Sequence, residues 1–159
     1  MKESKKLKNN KNKLVISLGD PAGIGTEITL KALGSKCLNK NIKPLLVGCK
    51  NNIYQTYSKL IEHGINNIPD PNKLDIFDIP LSKKVIPGVV DEYSGEASFN
   101  WLLNAAKILL EGRANALVTA PISKIAWHKA GHKFAGQTEL LGKLTNKKTS
   151  MLFTAISPK

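Results

Sequence analysis

Apolar residues along this chain fall into short continuous runs that alternate with longer stretches of helical spacing. The first run, Leu14-Val15-Ile16-Ser17-Leu18, reads as a strand and ends in Gly19-Asp20-Pro21-Ala22-Gly23-Ile24-Gly25, a turn of the kind that opens a helix. A helix follows over 22–33, with Gly34 as its C-terminal stop, and a short buried strand over 44–48. The next helix, 51–63, puts Ile53, Tyr57, Leu60 and Ile61 on one face and stops at Gly64. From 65 to 90, Pro69, Pro71, Pro80, Pro87 and Gly88 cut the pattern into pieces such as Ile76-Phe77 and Val85-Ile86. That stretch reads as an excursion from the main sheet carrying small strands. Ser94 is placed to cap a long helix over 95–111, whose expected buried stripe is Phe99, Leu102, Leu103, Ala106 and Leu110, with Gly112 closing it. Ala116-Leu117-Val118-Thr119 is a strand that turns through Ala120-Pro121-Ile122-Ser123 into a helix ending near Ala130. A further helix spans 137–144 and a last strand 150–156. Single strands alternating with single helices make an α/β fold, a mostly parallel sheet with helices on both faces.

Composition narrows the setting. With 159 residues, 42% of them hydrophobic, the chain is long enough for one ordinary domain. Residues 1–12 form a basic tail, read as a solvated, disordered arm, and 13–159 carry the fold. No apolar stretch approaches the ~18–20 residues of a membrane span, and the short run behind the lysine-rich start is no signal peptide. Cys37 and Cys49 lack metal-ligand or redox spacing and read as small buried hydrophobes of a cytoplasmic protein. The net charge of +12 invites a nucleic-acid partner, yet only Arg113 among 24 basic residues is arginine, the side chain that phosphate and base forks favour. The lysines come with many asparagines, as an A+T-rich coding sequence produces without any partner. Neither nucleic acid nor membrane is expected.

Three segments would lie beyond the carboxyl ends of parallel strands, where open α/β sheets bind ligands. In the first, Asp20 is placed to cap a helix that has Pro21 at its first position. Gly23 and Gly25 would leave backbone N–H groups open to an anion. A tight turn without a ligand is the alternative, and the G-x-x-x-G-x-G order matches neither the dinucleotide fingerprint nor the phosphate loop of nucleotidases. In the second, Lys124 sits in a first helical turn against the helix dipole, which calls for an anionic ligand or a carboxylate partner; a surface lysine packing its stem is the alternative. In the third, Gly136 lets the chain turn, while Gln137 and Thr138 offer an amide and a hydroxyl at a helix start, for ligand or for capping. His128 and His132 have the spacing of a helical metal pair, but Gly131 lies between them and no third ligand is evident. With His63 they read as surface or loop histidines, so no metal site is assigned. No catalytic triad, Cys–His pair or zinc knuckle is readable, and no catalytic residue is named.

Taken in order, Gly19-Asp20-Pro21-Ala22-Gly23-Ile24-Gly25, Leu117-Val118-Thr119-Ala120-Pro121-Ile122-Ser123-Lys124 and Gly136-Gln137-Thr138-Glu139 resemble the 4-hydroxythreonine-4-phosphate dehydrogenase family. The resemblance covers 14–156, the N-terminal half of the family's enzyme. It implies a fold like isocitrate and isopropylmalate dehydrogenases, truncated here to that half. It also implies a cytoplasmic homodimer that oxidises and decarboxylates 4-phosphohydroxy-L-threonine on the way to pyridoxal 5'-phosphate. The implied cofactors are NAD or NADP and a divalent metal (Zn, Mg, Mn or Co) that would polarise the substrate hydroxyl. Where the family has Gly-His-Thr-Glu, this chain has Gln137. Gln137 and Thr138 thus inherit the substrate contact, but Gln137 carries no proton or charge near neutral pH. Asp20 and Lys124 are further candidates at the same cleft. The family's metal ligands, phosphate-binding residues and most cofactor contacts fall past residue 159. The chain alone is therefore expected to be inactive, either needing a separate C-terminal half or standing as a non-catalytic remnant.

Overall fold

A computed structural model describes residues 12–36, 39 and 41–154 of the chain. Ten elements follow one another: β1 (Lys13–Ser17), α1 (Gly25–Leu33), β2 (Lys43–Gly48), α2 (Lys50–Glu62), a 3-10 turn at Pro71–Lys73, β3 (Asp75–Asp78), α3 (Glu92–Leu110), β4 (Ala116–Thr119), α4 (Lys124–Lys129) and α5 (Gln137–Thr145). The four strands form one all-parallel sheet in the order β3-β2-β1-β4. Successive steps from β1 to β2 to β3 run one way across the sheet, and the return to β4 runs the other. Right-handed crossovers therefore place α1 and α2 on one face and α3 on the opposite one. Consistent with cover on both faces, the adjacent residues Val15 and Ile16 of β1 are 0% and 6% exposed. The chain has the expected fold class.

The core is in two parts. The larger lies between sheet and helices and joins Val15, Leu18, Leu46 and Val47 to Leu30, Ile53 and Trp101. The smaller joins Phe99 and Leu102 of α3 to Trp127 of α4 and Leu140 of α5. Because α3 is clasped between sheet and helices, its buried surface is wider than one stripe. Trp101, Ala105 and Ile108 are buried alongside Phe99, Leu102 and Ala106, while Leu110, expected inside, is 55% exposed at the helix end. Trp127 packs edge-to-face on Phe99 with centroids 5.2 Å apart, and its Nε1 donates to Ser98 Oγ at 2.8 Å.

Several local expectations change. The 65–90 stretch is an excursion only in part: Ile76 and Phe77 belong to β3, which pairs with β2 from Leu45–Asp75 to Gly48–Asp78 and extends the main sheet, while 79–90, Val85-Ile86 included, is irregular. Four residues with two charged ends were too short a pattern to declare a sheet strand. The cap of α3 is Asp91, whose carboxylate accepts from Ser94 N at 2.7 Å, and the helix starts one turn before Gly95. On α2, Ile53 and Leu60 are buried but Ile61 is 37% exposed. Of the expected strand 150–156, residues 150–154 form no strand: none of the described residues pairs with them, and Met151, Leu152 and Phe153 are exposed; 155 and 156 lie outside the described residues. Cys49 is buried and free as expected, whereas Cys37 and the tail 1–11 lie outside the described residues. Among the described residues no helix is long and apolar enough to cross a membrane.

Candidate active site

A strand order of 3-2-1-4 has its topological switch between β1 and β4, where the chain leaves the two strands toward opposite faces and opens a crevice. The turns after those strands are bolted together there. Gly19 has φ +71°, and a Cβ on it would lie 2.2 Å from the Pro121 carbonyl oxygen. Only glycine admits both that backbone and that approach. The next amide, Asp20 N, donates to the same Pro121 carbonyl at 2.9 Å.

The rest of the first turn corrects its expected geometry. Asp20 Oδ1 accepts from Ala22 N at 2.8 Å and Gly23 N donates to the Asp20 carbonyl at 3.0 Å, so Asp20 and Pro21 shape a separate turn. Helix α1 starts only at Gly25, behind Ile24, with no side-chain cap. Gly25 serves packing, since a Cβ there would sit 2.0 Å from the Leu18 carbonyl oxygen. Asp20 is 6% exposed. Burial pushes its carboxyl above the usual aspartate range, the Ala22 N–H and Ser94 hydroxyl oppose that shift, and nearby Asp91 adds to it. Asp20 is therefore a buried organiser of the turn that reaches across to the start of α3.

In the second turn, Pro121 precedes the helix and Ser123 caps it, its Oγ accepting from Ala126 N at 3.2 Å. Lys124 is the first helical residue and is exposed. Its stem leans on the third segment: a Cβ on Gly136 would be 3.4 Å from Lys124 Cε and 3.9 Å from Nζ. Among the described residues Lys124 has no ion-pair partner, which leaves its ammonium directed at the loop cluster.

The third segment closes the group. Gln137 opens α5, and its Nε2 donates to the Ala120 carbonyl at 3.1 Å. Its Oε1 is buried and is the unpartnered buried side-chain polar atom found among the described residues. An acceptor left so is costly unless a donor arrives from outside. Thr138 is exposed and does not cap α5, whose cap position is held by Gly136. The structure thus brings Asp20, Lys124 and Gln137 to one edge, Asp20 in the turn beneath and Lys124 and Gln137 above, with Thr138 on the outside.

The histidines have local work. His63 Nδ1 lies 2.7 Å from the Lys59 carbonyl, and His128 Nε2 lies 3.3 Å from the Phe134 carbonyl. His132 stacks on Phe99 at 3.5 Å, with Nε2 2.7 Å from Glu96 Oε2. Among the described residues no three His, Cys, Asp or Glu side chains converge. These residues do not make a metal site, and no step is assigned to them through a metal. Sequence reasoning missed the roles of Ser94 and Asp91 beside Asp20, although the D-x-x-S spacing of a cap was there to read. It could not have found the Ala120 carbonyl, a backbone atom with no residue signature.

Comparison with known proteins decides the lineage. The family described as Pyridoxal phosphate biosynthetic protein PdxA matches residues 37–157. The chain belongs to this family. A 4-hydroxythreonine-4-phosphate dehydrogenase of Synechococcus sp. (strain RCC307) is 48% identical over 147 residues, 92% of this chain and 44% of that protein. That of Thermosynechococcus vestitus is 40% identical over 91% of this chain and 42% of its own length. The crystal structure of the enzyme of that name from Klebsiella pneumoniae superposes with a TM-score of 0.70 at 32% identity, over 85% of this chain and 44% of that one. The chain thus spans less than half the length of the PdxA relatives it matches.

Proposed function

We propose that the chain supplies the substrate-facing loop cluster of an oxidoreductase that converts 4-phosphohydroxy-L-threonine in pyridoxal 5'-phosphate biosynthesis. The observation that carries this is the junction at the sheet's switch point, where Gln137, its Oε1 buried and unpaired among the described residues, follows Gly136, against which the Lys124 stem leans. Gln137 Oε1 accepts a hydrogen bond from a substrate hydroxyl or ammonium, its amide end being held by Ala120. The Thr138 hydroxyl, for which no partner is found among the described residues, adds a second contact. Lys124 attracts the substrate's anionic groups. Asp20 touches no substrate and holds the β1 turn in place. Lacking a titratable group, Gln137 orients the substrate but moves no proton.

The nicotinamide, NAD or NADP, would take the hydride when bound. We place the groups that hold it, with any divalent metal, in the part of the family's length that this chain does not span. Homodimer formation, a cytoplasmic setting and a separately supplied C-terminal half belong to the same proposal, with residues 1–12 as an arm outside the catalytic unit. One experiment covers it: NAD(P)H production from 4-phosphohydroxy-L-threonine with Zn²⁺, Mg²⁺ or Mn²⁺. The assay compares the chain alone with the chain fused to the C-terminal portion of the Synechococcus relative. Turnover by the fusion alone is expected. Turnover by the isolated chain would overturn the partial-site reading, and a folded fusion without turnover would overturn the activity.

A further inference from the structure

A second concavity lies across the β1 turn from Gln137, bounded by α1, α2 and the 80–87 segment, with a volume of about 850 Å³. That is within the range of small-molecule sites. Its wall from α2 includes Asn52, Gln55, Thr56 and Lys59, which follow one another at i, i+3, i+4 and i+7 and so share one helix face, with Asn51 and Leu60 at its margins. A helix face turned into a concavity is ordinarily apolar, whereas on this one Leu60 is the apolar exception among amide, hydroxyl and ammonium groups.

One donor is pre-aimed. The buried Thr26 hydroxyl donates to Asn52 Oδ1 at 2.8 Å, which leaves the Asn52 amide N–H groups as the free end of that side chain. Charge points the same way. Lys59, Lys83 and Lys84 line the cleft against the single carboxylate of Glu27, which Lys31 engages at 2.6 Å. Lys83 is held over the Tyr93 ring at 4.1 Å, while Lys59 and Lys84 have no ion-pair partner among the described residues. Donors and positive charge in a roomy cleft fit an acceptor-rich anion larger than a simple ion, and Leu60, Leu81 and Val85 add an apolar patch for its carbon body.

We propose that this cleft binds a phosphomonoester of a small hydroxylated molecule, at a site separate from the Gln137 junction. The phosphate would lie between Lys59 and Lys84, with Asn52, Gln55 and Thr56 on its oxygens and hydroxyls. The proposal is independent of the dehydrogenase reading.

The test is an amide-resolved NMR titration of the full chain at constant ionic strength, using inorganic phosphate, glycerol 3-phosphate and glycerol as probes. Saturable shifts centred on Asn52, Gln55, Thr56 and Lys59 are expected, tighter for glycerol 3-phosphate than for phosphate and absent for glycerol. The double variant K59Q/K84Q should weaken binding by about fivefold or more, the loss of charge-assisted contacts. The distant pair K107Q/K148Q should leave it unchanged. Non-saturating shifts, an equal loss in the distant pair, or shifts confined to 120–124 and 136–139 would each overturn the proposal.

Discussion

Replacing Gly19 with alanine tests the lock between the β1 and β4 turns. At φ +71° a side chain pays left-handed strain of ~1–2 kcal/mol. The added Cβ would stand 2.2 Å from the Pro121 oxygen and 2.9 Å from the Ala120 carbonyl atoms, all backbone, so the β4 turn must move. Such overpacking costs ~1–3 kcal/mol, and separating Asp20 N from Pro121 O removes ~0.5–1.5 kcal/mol more. Alanine lowers the entropy of the unfolded chain and returns ~0.4–1 kcal/mol. The net loss is roughly 1.5–6 kcal/mol, which for a chain of this size lowers Tm by about 3–24 °C. Gly64 is the control: its φ is +79°, but nothing lies within 4 Å of its Cβ position, so G64A incurs the strain alone. Thermal melts by circular dichroism of the two variants, with amide exchange at Asp20, read the difference. Equal Tm shifts for G19A and G64A, with Asp20 exchange unchanged, would refute the lock.

Other outcomes follow from the same geometry. The raised Asp20 carboxyl means that, between the ordinary aspartate value of 3.8 and its folded value, the native state holds a proton the unfolded chain has lost. Stability from this group therefore falls as pH rises through that window, so Tm of D20N should gain on wild type from pH 3.8 upward; parallel Tm–pH curves would contradict it. Ser98→Ala strands the buried Trp127 N–H and should cost ~1–3 kcal/mol in urea unfolding, with the slope unchanged. His132→Ala, losing a ring stack and a Glu96 contact, should destabilise by about 1–2 kcal/mol, and Glu96→Gln by less than about 1 kcal/mol, the value of an exposed pair. A larger effect of E96Q in the same urea assay would give the carboxylate the main role.

How much was legible depended on the range over which each signal acts. Strong local periodicity marked β1, β2, β4 and the bodies of α1, α2 and α3, and alternation alone implied a parallel sheet. What failed was decided by distant neighbours. The two-charge sequence of β3 becomes a strand because β2 offers an open edge. Leu110 lies outside and Trp101 inside because α3 is gripped from two sides. The 150–154 run had strand composition, yet it pairs with neither edge strand of the described sheet. At the site, the residue types of Asp20, Lys124 and Gln137 were readable from turn chemistry. That Gln137 binds the Ala120 carbonyl, or that Asn52, Gln55, Thr56 and Lys59 face a cleft, depends on packing no local pattern encodes.

The central claim, that Gln137 is the substrate-facing acceptor of the switch-point junction, is tested most directly by kcat/KM for 4-phosphohydroxy-L-threonine. The measurement compares the fusion to the Synechococcus C-terminal portion with its Gln137→Ala variant. A lost buried hydrogen bond of ~1–3 kcal/mol predicts a fall of roughly fivefold to over a hundredfold, while loss of the bond to the Ala120 carbonyl lowers Tm by only a few degrees and leaves the fusion folded. A folded Gln137→Ala fusion with undiminished kcat/KM would contradict the account.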